Sequence, residues 1–314
     1  MPRLPFLRIP VLVQLEILKH SNTFDLISLS FCSEKTRILV ASANVQLDRL
    51  DFRFEEFNAF SLFVNANSWD KGIIFYPTEC NRKTVWITWN RAGRGVVLIK
   101  NTQRIDSPGE RVVGHFLKTF RRVDEIRVSC AKTAIRDIPV WKFTKSIDQL
   151  VIHSVPGRIL FINDMKLIFE ELTIKELFKN SSQVTNRFQY SLGFQPKKVE
   201  ITDAEWVQFN AILDSQSHSI SLSNTEKPTV AQLNTMLKLW ISMEKMENLE
   251  LLEMEWTEEN RFVYVHSNEF FTEVLDGIVH VRRNGRSAEI RRIDGKVAVM
   301  VFVGFSYICF RTRE

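Results

Sequence analysis

The residues that could do chemistry are scattered through this sequence rather than grouped. Its six histidines (His20, His115, His153, His218, His266 and His280) show no H-x-x-x-H or other metal-ligand spacing. Cys32, Cys80, Cys130 and Cys309 form no C-x-x-C and no cluster, so neither a zinc site nor a disulfide framework is expected, and a reducing compartment is. The nucleophile elbow G-x-S-x-G, the zincin H-E-x-x-H, a Rossmann glycine fingerprint and an EF-hand loop are all missing. Gly93 and Gly95 come nearest to a phosphate loop, but no G-x-x-x-x-G-K-[ST] exists, and Arg91 to Gly95 reads as a turn between strands. Asn180-Ser181-Ser182 has the form of a glycosylation acceptor without a secretory leader to make use of it. No catalytic residue, no metal and no cofactor is expected of this chain.

Composition points to a folded protein that works by contact. The 314 residues are 45% hydrophobic and 25% charged, which fits a folded chain and argues against wholesale disorder. No run approaches the ~20 apolar residues of a membrane span. The opening residues resemble a signal peptide, but Glu16 and Lys19 interrupt the apolar run and no small-residue cleavage site follows, so a cytoplasmic or nuclear location is expected. The net charge of +5 is unevenly spread. Arg282, Arg283, Arg286, Arg291, Arg292, Lys296, Arg311 and Arg313 crowd the C-terminal end, whereas 244–259 is glutamate-rich. Such segregation suits opposed binding surfaces, one of them for an anionic partner. Aromatics do not alternate with the basic residues as single-strand nucleic acid binding requires, so nucleic acid is not the expected partner.

The first forty residues hold the clearest interface signal. Pro10 is placed like the first residue of a helix, where its missing N–H costs nothing. In the helix after it, Val11, Leu15 and Leu18 share one face while Val13 and Ile17 lie nearly opposite. Ser21-Asn22-Thr23 supplies capping chemistry for a second short helix that repeats the two-faced pattern, and a third runs from Ser33 to about Ala41. A unit this small cannot bury both faces by itself, so one of them needs the rest of the chain or another protein.

Residues 4–39, LPFLRIPVLVQLEILKHSNTFDLISLSFCSEKTRIL, resemble an F-box. Ile9-Pro10 stands where that family has Leu-Pro. Ile17-Leu18 falls on the apolar pair late in its first helix, Asp25-Leu26 on the start of the second, and Cys32 on the cysteine that follows. The family's next tryptophan is replaced near Lys35, and the Cys-Ser-x-Lys-Thr wording is similar to the nematode-type branch. The resemblance implies docking on the Skp-type adaptor of an SCF ubiquitin ligase. Ile9, Pro10, Val11, Leu12, Leu15, Leu18 and Leu26 are the expected adaptor-binding residues.

Past the aromatic-rich strands expected over 46–105, a helix opens near Ser107-Pro108 and a periodic pattern follows. The phrase apolar-x-x-apolar-x-apolar occurs at Val123/Ile126/Val128, Ile147/Leu150/Ile152, Phe169/Leu172/Ile174 and Leu249/Leu252/Met254. Weaker copies stand at Pro196/Val199/Ile201 and Ser217/Ile220/Leu222. Successive starts are about 21 to 32 residues apart, close to the period of leucine-rich repeats. The spacers read as helices, over Asp203–Gln216 and from Pro228 through Trp240 and Ile241. The expectation is an irregular strand–helix array with a broad recognition face. Glu125, Arg127, Gln149, Glu200, Ser221 and Glu250 are its expected substrate-contacting residues.

Residues 217–254 resemble the F-box-associated type 2 domain, through Leu237-Lys238-Leu239-Trp240-Ile241 and Asn248-Leu249-Glu250-Leu251-Leu252 in that order. The turns Asn284-Gly285 and Asp294-Gly295 separate three strands of a meander over 278–302. The fold class expected is therefore α+β or α/β repeat: a short three-helix F-box, a leucine-rich-repeat-like array and a β-meander cap. The expected divisions are 1–42 (F-box), 43–120 (a β-rich connection), 121–256 (the array, its F-box-associated segment about 195–257) and 257–314 (the cap). The resemblances imply a non-catalytic substrate adaptor whose partners are a Skp-type adaptor, the cullin ligase core and a protein substrate. A repeat-type protein- or nucleic-acid-binding module with no ubiquitin role is the alternative.

Overall fold

The computed structural model describes residues 6–54, 60–64, 72–78, 86–89, 95–100, 108–131, 133–153, 159–160, 162–180, 183–184, 189–190, 193–256, 267–284, 286–303 and 306–313. Cys80, the Arg91 to Arg94 turn, Ser107, Ser181-Ser182 and Gly285 lie outside the described residues. The chain divides into two compact units, Met1–Asp148 and Gln149–Glu314.

The first unit opens with a 3-10 turn, Phe6–Arg8, and helices α1 (Val11–Lys19), α2 (Thr23–Cys32) and α3 (Glu34–Ala43). Pro10 sits one position earlier than expected, as the N-cap of α1 with φ −54°. Asn22 caps α2 by accepting from the Asp25 N–H at 2.9 Å. Ser33 and Thr36 form a reciprocal capping box on α3, which ends on Asn44 in the left-handed region. Leu18, Leu26, Ile27, Val40 and Ala43 are buried and make the small core of these helices.

A mixed sheet follows. Strand β1 (Gln46–Phe54) is paired by β2 (Phe60–Val64), and β3 (Gly72–Thr78) by β2 in turn. Then come β4 (Trp86–Trp89), β5 (Gly95–Lys100), helix α4 (Pro108–Thr119) and β6 (Arg122–Cys130). The strand order in this unit is β6-β1-β2-β3-β5-β4, with β1 parallel to β6 from Gln46↔Arg122 to Phe54↔Cys130. Leu47, Leu50 and Phe52 of β1 are fully buried and repeat the apolar-x-x-apolar-x-apolar phrase of β6. The phrase thus begins a strand earlier than the sequence reading recognised. Strand β7 (Ser146–Ile152) runs through the point where the chain divides.

In the second unit, β8 (Ile159–Leu160) pairs in parallel with the later β10 (Gln183–Val184). Helix α5 (Ile162–Lys166) continues into a π turn over Leu167–Glu171, ahead of β9 (Thr173–Lys179). That order corrects the reading of Phe169/Leu172/Ile174 as strand: only Ile174 lies in β9, and Phe169 belongs to the helical turn before it. The remaining elements are β11 (Lys198–Ile201), α6 (Phe209–Leu213), β12 (Ser219–Thr225), α7 (Val230–Ile241), β13 (Leu251–Trp256), α8 (Ser267–Val274), β14 (His280–Asn284), β15 (Ser287–Arg291), β16 (Val297–Val303) and β17 (Tyr307–Arg313).

The helix expected over Asp203–Gln216 is only five residues long, because Asp203 takes φ 53° and the chain turns before Phe209. Strands β9, β11, β12 and β13 are parallel neighbours in that order. The meander carries a fourth strand that the turn signals did not mark. That strand, β17, pairs antiparallel with β13 and extends the same sheet through β16 and β15 to β14.

Alternation decides which side of the second sheet is covered. Val199, Ile201, Ile220, Leu222, Leu252, Met254, Ile308, Phe310, Met300 and Ile290 are buried on one face. Helices pack there: Trp240 of α7 meets Phe310 edge-on at 4.9 Å, and Phe271 of α8 meets Phe302 at 5.2 Å. The residues between them are partly or fully exposed and form an open face.

Candidate adaptor-docking and recognition surfaces

Helix α1 buries only Gln14 and Leu18. Gln14 donates from Nε2 to the Phe6 carbonyl at 3.1 Å and the Ile9 carbonyl at 2.7 Å, which holds the Phe6–Arg8 turn against the helix start. The apolar residues around it stay outside: Val11 is 60% exposed, Leu12 80%, Val13 49% and Ile17 45%. Leu7 before the helix and Ile38 on α3 are also exposed. Of the expected docking residues, Pro10, Val11 and Leu12 are exposed, and Ile9 and Leu15 are partly so.

Leu18 and Leu26 are corrections. At 2% and 1% exposure they belong to the interior of the helices and offer a partner no surface. Leu7, Val13, Ile17 and Ile38 take their place on the outside. For Val13 the signal was the unbroken aliphatic start Val11-Leu12-Val13, which no single buried stripe can absorb. At the far end of α1, Glu16 meets Lys19 and His20 at 3.3 Å each, and the hydrogen bond from Lys19 holds its carboxyl below the usual range. The apolar surface is thereby edged with charge.

Helix α4 supports α2 from within the same unit. Phe31 stacks on His115 with ring centroids 4.0 Å apart, and Ser30 Oγ lies 2.8 Å from His115 Nε2. Burial is the main cause that pushes the His115 pKa down to about 4, so the ring is neutral at physiological pH. No sequence motif marked His115, because its partners lie far from it along the chain.

The residues expected to contact substrate fall in two places. In the first unit Glu125 is bonded by Arg49 Nε at 2.5 Å, and Arg127 stands beside Asp51 on the neighbouring strand. In the second unit Gln149 Nε2 donates to Glu176 at 2.6 Å. Glu200, Ser221 and Glu253 sit side by side across β11, β12 and β13 on the open face. Glu250 does not join them. It lies one residue before β13, where its N–H bonds the His218 carbonyl. Glu253 accepts from the Tyr307 hydroxyl at 2.8 Å, and burial together with this carboxylate pushes the Tyr307 pKa up. Such surfaces can hold a ligand by hydrogen bonds, ion pairs and apolar contact. No cluster of metal-ligating residues occurs among the described residues.

Near the start of β11, Tyr190 stacks on Phe169 and Phe194, with Trp206 edge-on to it. The close packing needs a glycine: a Cβ at Gly193 would lie 1.7 Å from the Asp214 carbonyl oxygen. Tyr190, Phe194 and Trp206 of this aromatic knot lie within a segment that matches a known family, and Phe169 lies before it. The F-box domain model matches residues 6–46, and the F-box associated model matches residues 187–254.

The chain carries an F-box domain and an F-box associated domain. The F-box domain covers the Phe6–Arg8 turn, all of α1 to α3 and the first residue of β1. The second runs from before β11 into β13, and leaves β14 to β17 outside. Comparison with curated proteins gives no match, and comparison with solved structures gives none.

Proposed function

We propose that this F-box protein is a substrate-recognition adaptor of an SCF-type ubiquitin ligase, non-catalytic itself. F-box domains generally bind Skp-type adaptors, and proteins that pair one with an F-box associated domain are typically non-catalytic adaptors. The observation that carries the reading is the aliphatic surface of α1, exposed at Val11, Leu12, Val13 and Ile17 inside the F-box match. An apolar helix face of this kind, rimmed by Glu16 and Lys19, suits the groove of a protein partner.

In this reading Val11 and Leu12 insert into the Skp-type adaptor. Ile9, Pro10, Leu15 and Ile17 surround them, and Gln14 fixes the approach of the chain. The Skp-type adaptor then links the chain to the cullin core. The strand–helix succession from β6 to β13 acts as an irregular leucine-rich-repeat-like array, with 1–42 as the docking domain and β14 to β17 as its cap. In the second unit Gln149, Glu200 and Ser221 contact a protein substrate, and in the first unit Glu125 and Arg127 are candidates of their own. Catalysis is by proximity: a chain bound at both ends raises the effective concentration of a substrate lysine at the transferase.

The test is titration of the Skp-type adaptor against the full-length chain and the double variant Val11→Ala with Leu12→Ala. A loss of ~2–4 kcal/mol in affinity is expected, the magnitude of an interface hot spot. Unchanged affinity in the folded variant would end the docking assignment. Point substitution is preferable to removal of 1–42, which would strip Phe31 and Ser30 from His115.

A further inference from the structure

The basic C-terminal run noted in the sequence has no role in the reading above, and β14 to β17 lie outside both family matches. Strand register places part of that run on the open face of the second sheet. Arg291 is opposite Val297, which is opposite Arg313. One step along, Val281 is opposite Glu289, then come Val299, Arg311 and Leu251 on successive strands. With neighbouring strands about 4.8 Å apart, a column of valines on β16 therefore runs between Arg311 and Arg313 of β17 on one side and Glu289 and Arg291 of β15 on the other.

This surface is open. Val281 is 64% exposed and Val279, just before its strand, 94%. Val297, Val299, Val301 and Leu251 are partly exposed, and Arg291, Arg311 and Arg313 are exposed. The helices pack on the opposite face, where Arg292 is buried over the Trp240 ring. Arg313 is paired with Glu289 at 3.8 Å. Arg291 and Arg311 have no ion-pair partner among the described residues. The patch is thus apolar in its middle and carries three arginines around it against one carboxylate, Glu289, whereas the β9 to β13 end of the face carries Glu176, Glu200 and Glu253 with Lys198 among them.

We propose that the β14–β17 end of the open face, centred on Val297 and Val299 with Arg291 beside the first and Arg311 beside the second, binds an acidic, aliphatic segment of a protein substrate. The apolar middle supplies burial, and the two unpaired arginines supply charge-assisted hydrogen bonds to carboxylates. Basic segments are turned away here by the same arginines, so this end sets the sign of the ligand. The inference deepens the adaptor reading and rests on it for calling the ligand a substrate. It moves recognition beyond the F-box associated match into the meander.

The test is selection of a displayed library of short random peptides on the full-length chain, beside the double variant Arg291→Glu with Arg311→Glu and the milder Arg291→Gln with Arg311→Gln. Peptides rich in Glu or Asp together with Val, Leu or Ile are expected to enrich on the parent chain. Synthesised singly, they should bind the Gln variant about tenfold or more weaker, and the Glu variant weaker still. Absence of enrichment, enrichment of basic peptides, or equal affinity for both folded variants would overturn the proposal. So would equal binding of poly-glutamate, which lacks the aliphatic component. Skp-type adaptor affinity, measured on the same proteins, is expected to be unchanged. A failure here with adaptor binding intact leaves the docking reading standing, and loss of adaptor binding in the parent chain fails that reading alone.

Discussion

Helices α1 and α7 are both rich in aliphatic residues and dispose of them in opposite ways. In α7 the buried residues are Leu233, Met236, Leu237 and Trp240, one stripe at helical spacing that faces the sheet. In α1 the aliphatic residues wrap the helix, and only Leu18 of them is buried. A stripe can be satisfied by one neighbouring surface, so α7 is complete within its own chain. A wrapped helix on a small bundle has more apolar surface than the bundle can cover, and the remainder is left for a partner. The lesson is that periodicity, more than hydrophobicity, separates an interior helix from a docking helix.

The largest test of this contrast is Trp240→Ala, which removes the contact with Phe310 and the ring beneath Arg292. A loss of ~3–5 kcal/mol in stability is expected in denaturant titration, the range for truncating a buried aromatic. Within α1 the contrast can be sharpened residue by residue. Leu18→Ala should cost ~2–5 kcal/mol as a core truncation, whereas Leu12→Ala should stay within about 0.5 kcal/mol. If the two α1 substitutions proved equally destabilising, Leu12 would be a core residue and the division of that helix would collapse.

The support beneath α2 gives a pH signature. His115 has a pKa of about 4 when folded against an ordinary 6.5, so between these values the unfolded chain binds a proton that the folded chain refuses. Its contribution is complete above pH 6.5, falls as the pH drops toward 4, and is constant below. Stability should decline by roughly 2 kcal/mol between about pH 7 and pH 5 on this account. His115→Phe, which keeps a ring against Phe31, should flatten that part of the profile. An unaltered slope would mean that the ring is not buried in neutral form. A smaller effect is expected from Ser33→Ala at the start of α3: a loss of ~1 kcal/mol for the capping box, read as a shift in the unfolding midpoint.

Much of the fold was legible because it is written locally. The caps at Asn22 and Ser33, the strand β6 and the stripe of α7 follow from residue types within a turn or two of one another. The meander turn at Asp294-Gly295 was legible for the same reason, with Gly295 at φ 93°. What was misread needed a partner in space. Leu47, Leu50 and Phe52 carry the same phrase as β6, but only their parallel pairing shows that β1 belongs with it. Phe169 fits a strand phrase and yet turns inward from a π turn onto Tyr190.

The candidate surfaces divide in the same way. The sequence by itself determined that the first helices carry apolar residues on two sides and that arginines collect near the C-terminus. It could not say that Leu18 and Leu26 turn inward while Leu12 and Ile17 stay out, since two-faced helices leave the choice of face to their neighbours. Nor could it place Arg291 beside Val297 and Arg311 beside Val299 on one surface. Helix and turn formation are decided by short-range sterics and hydrogen bonds, which residue order records directly. Which face is buried, and which distant side chains become neighbours, depends on strand register and on what packs against the other side. Only the tertiary structure decides that.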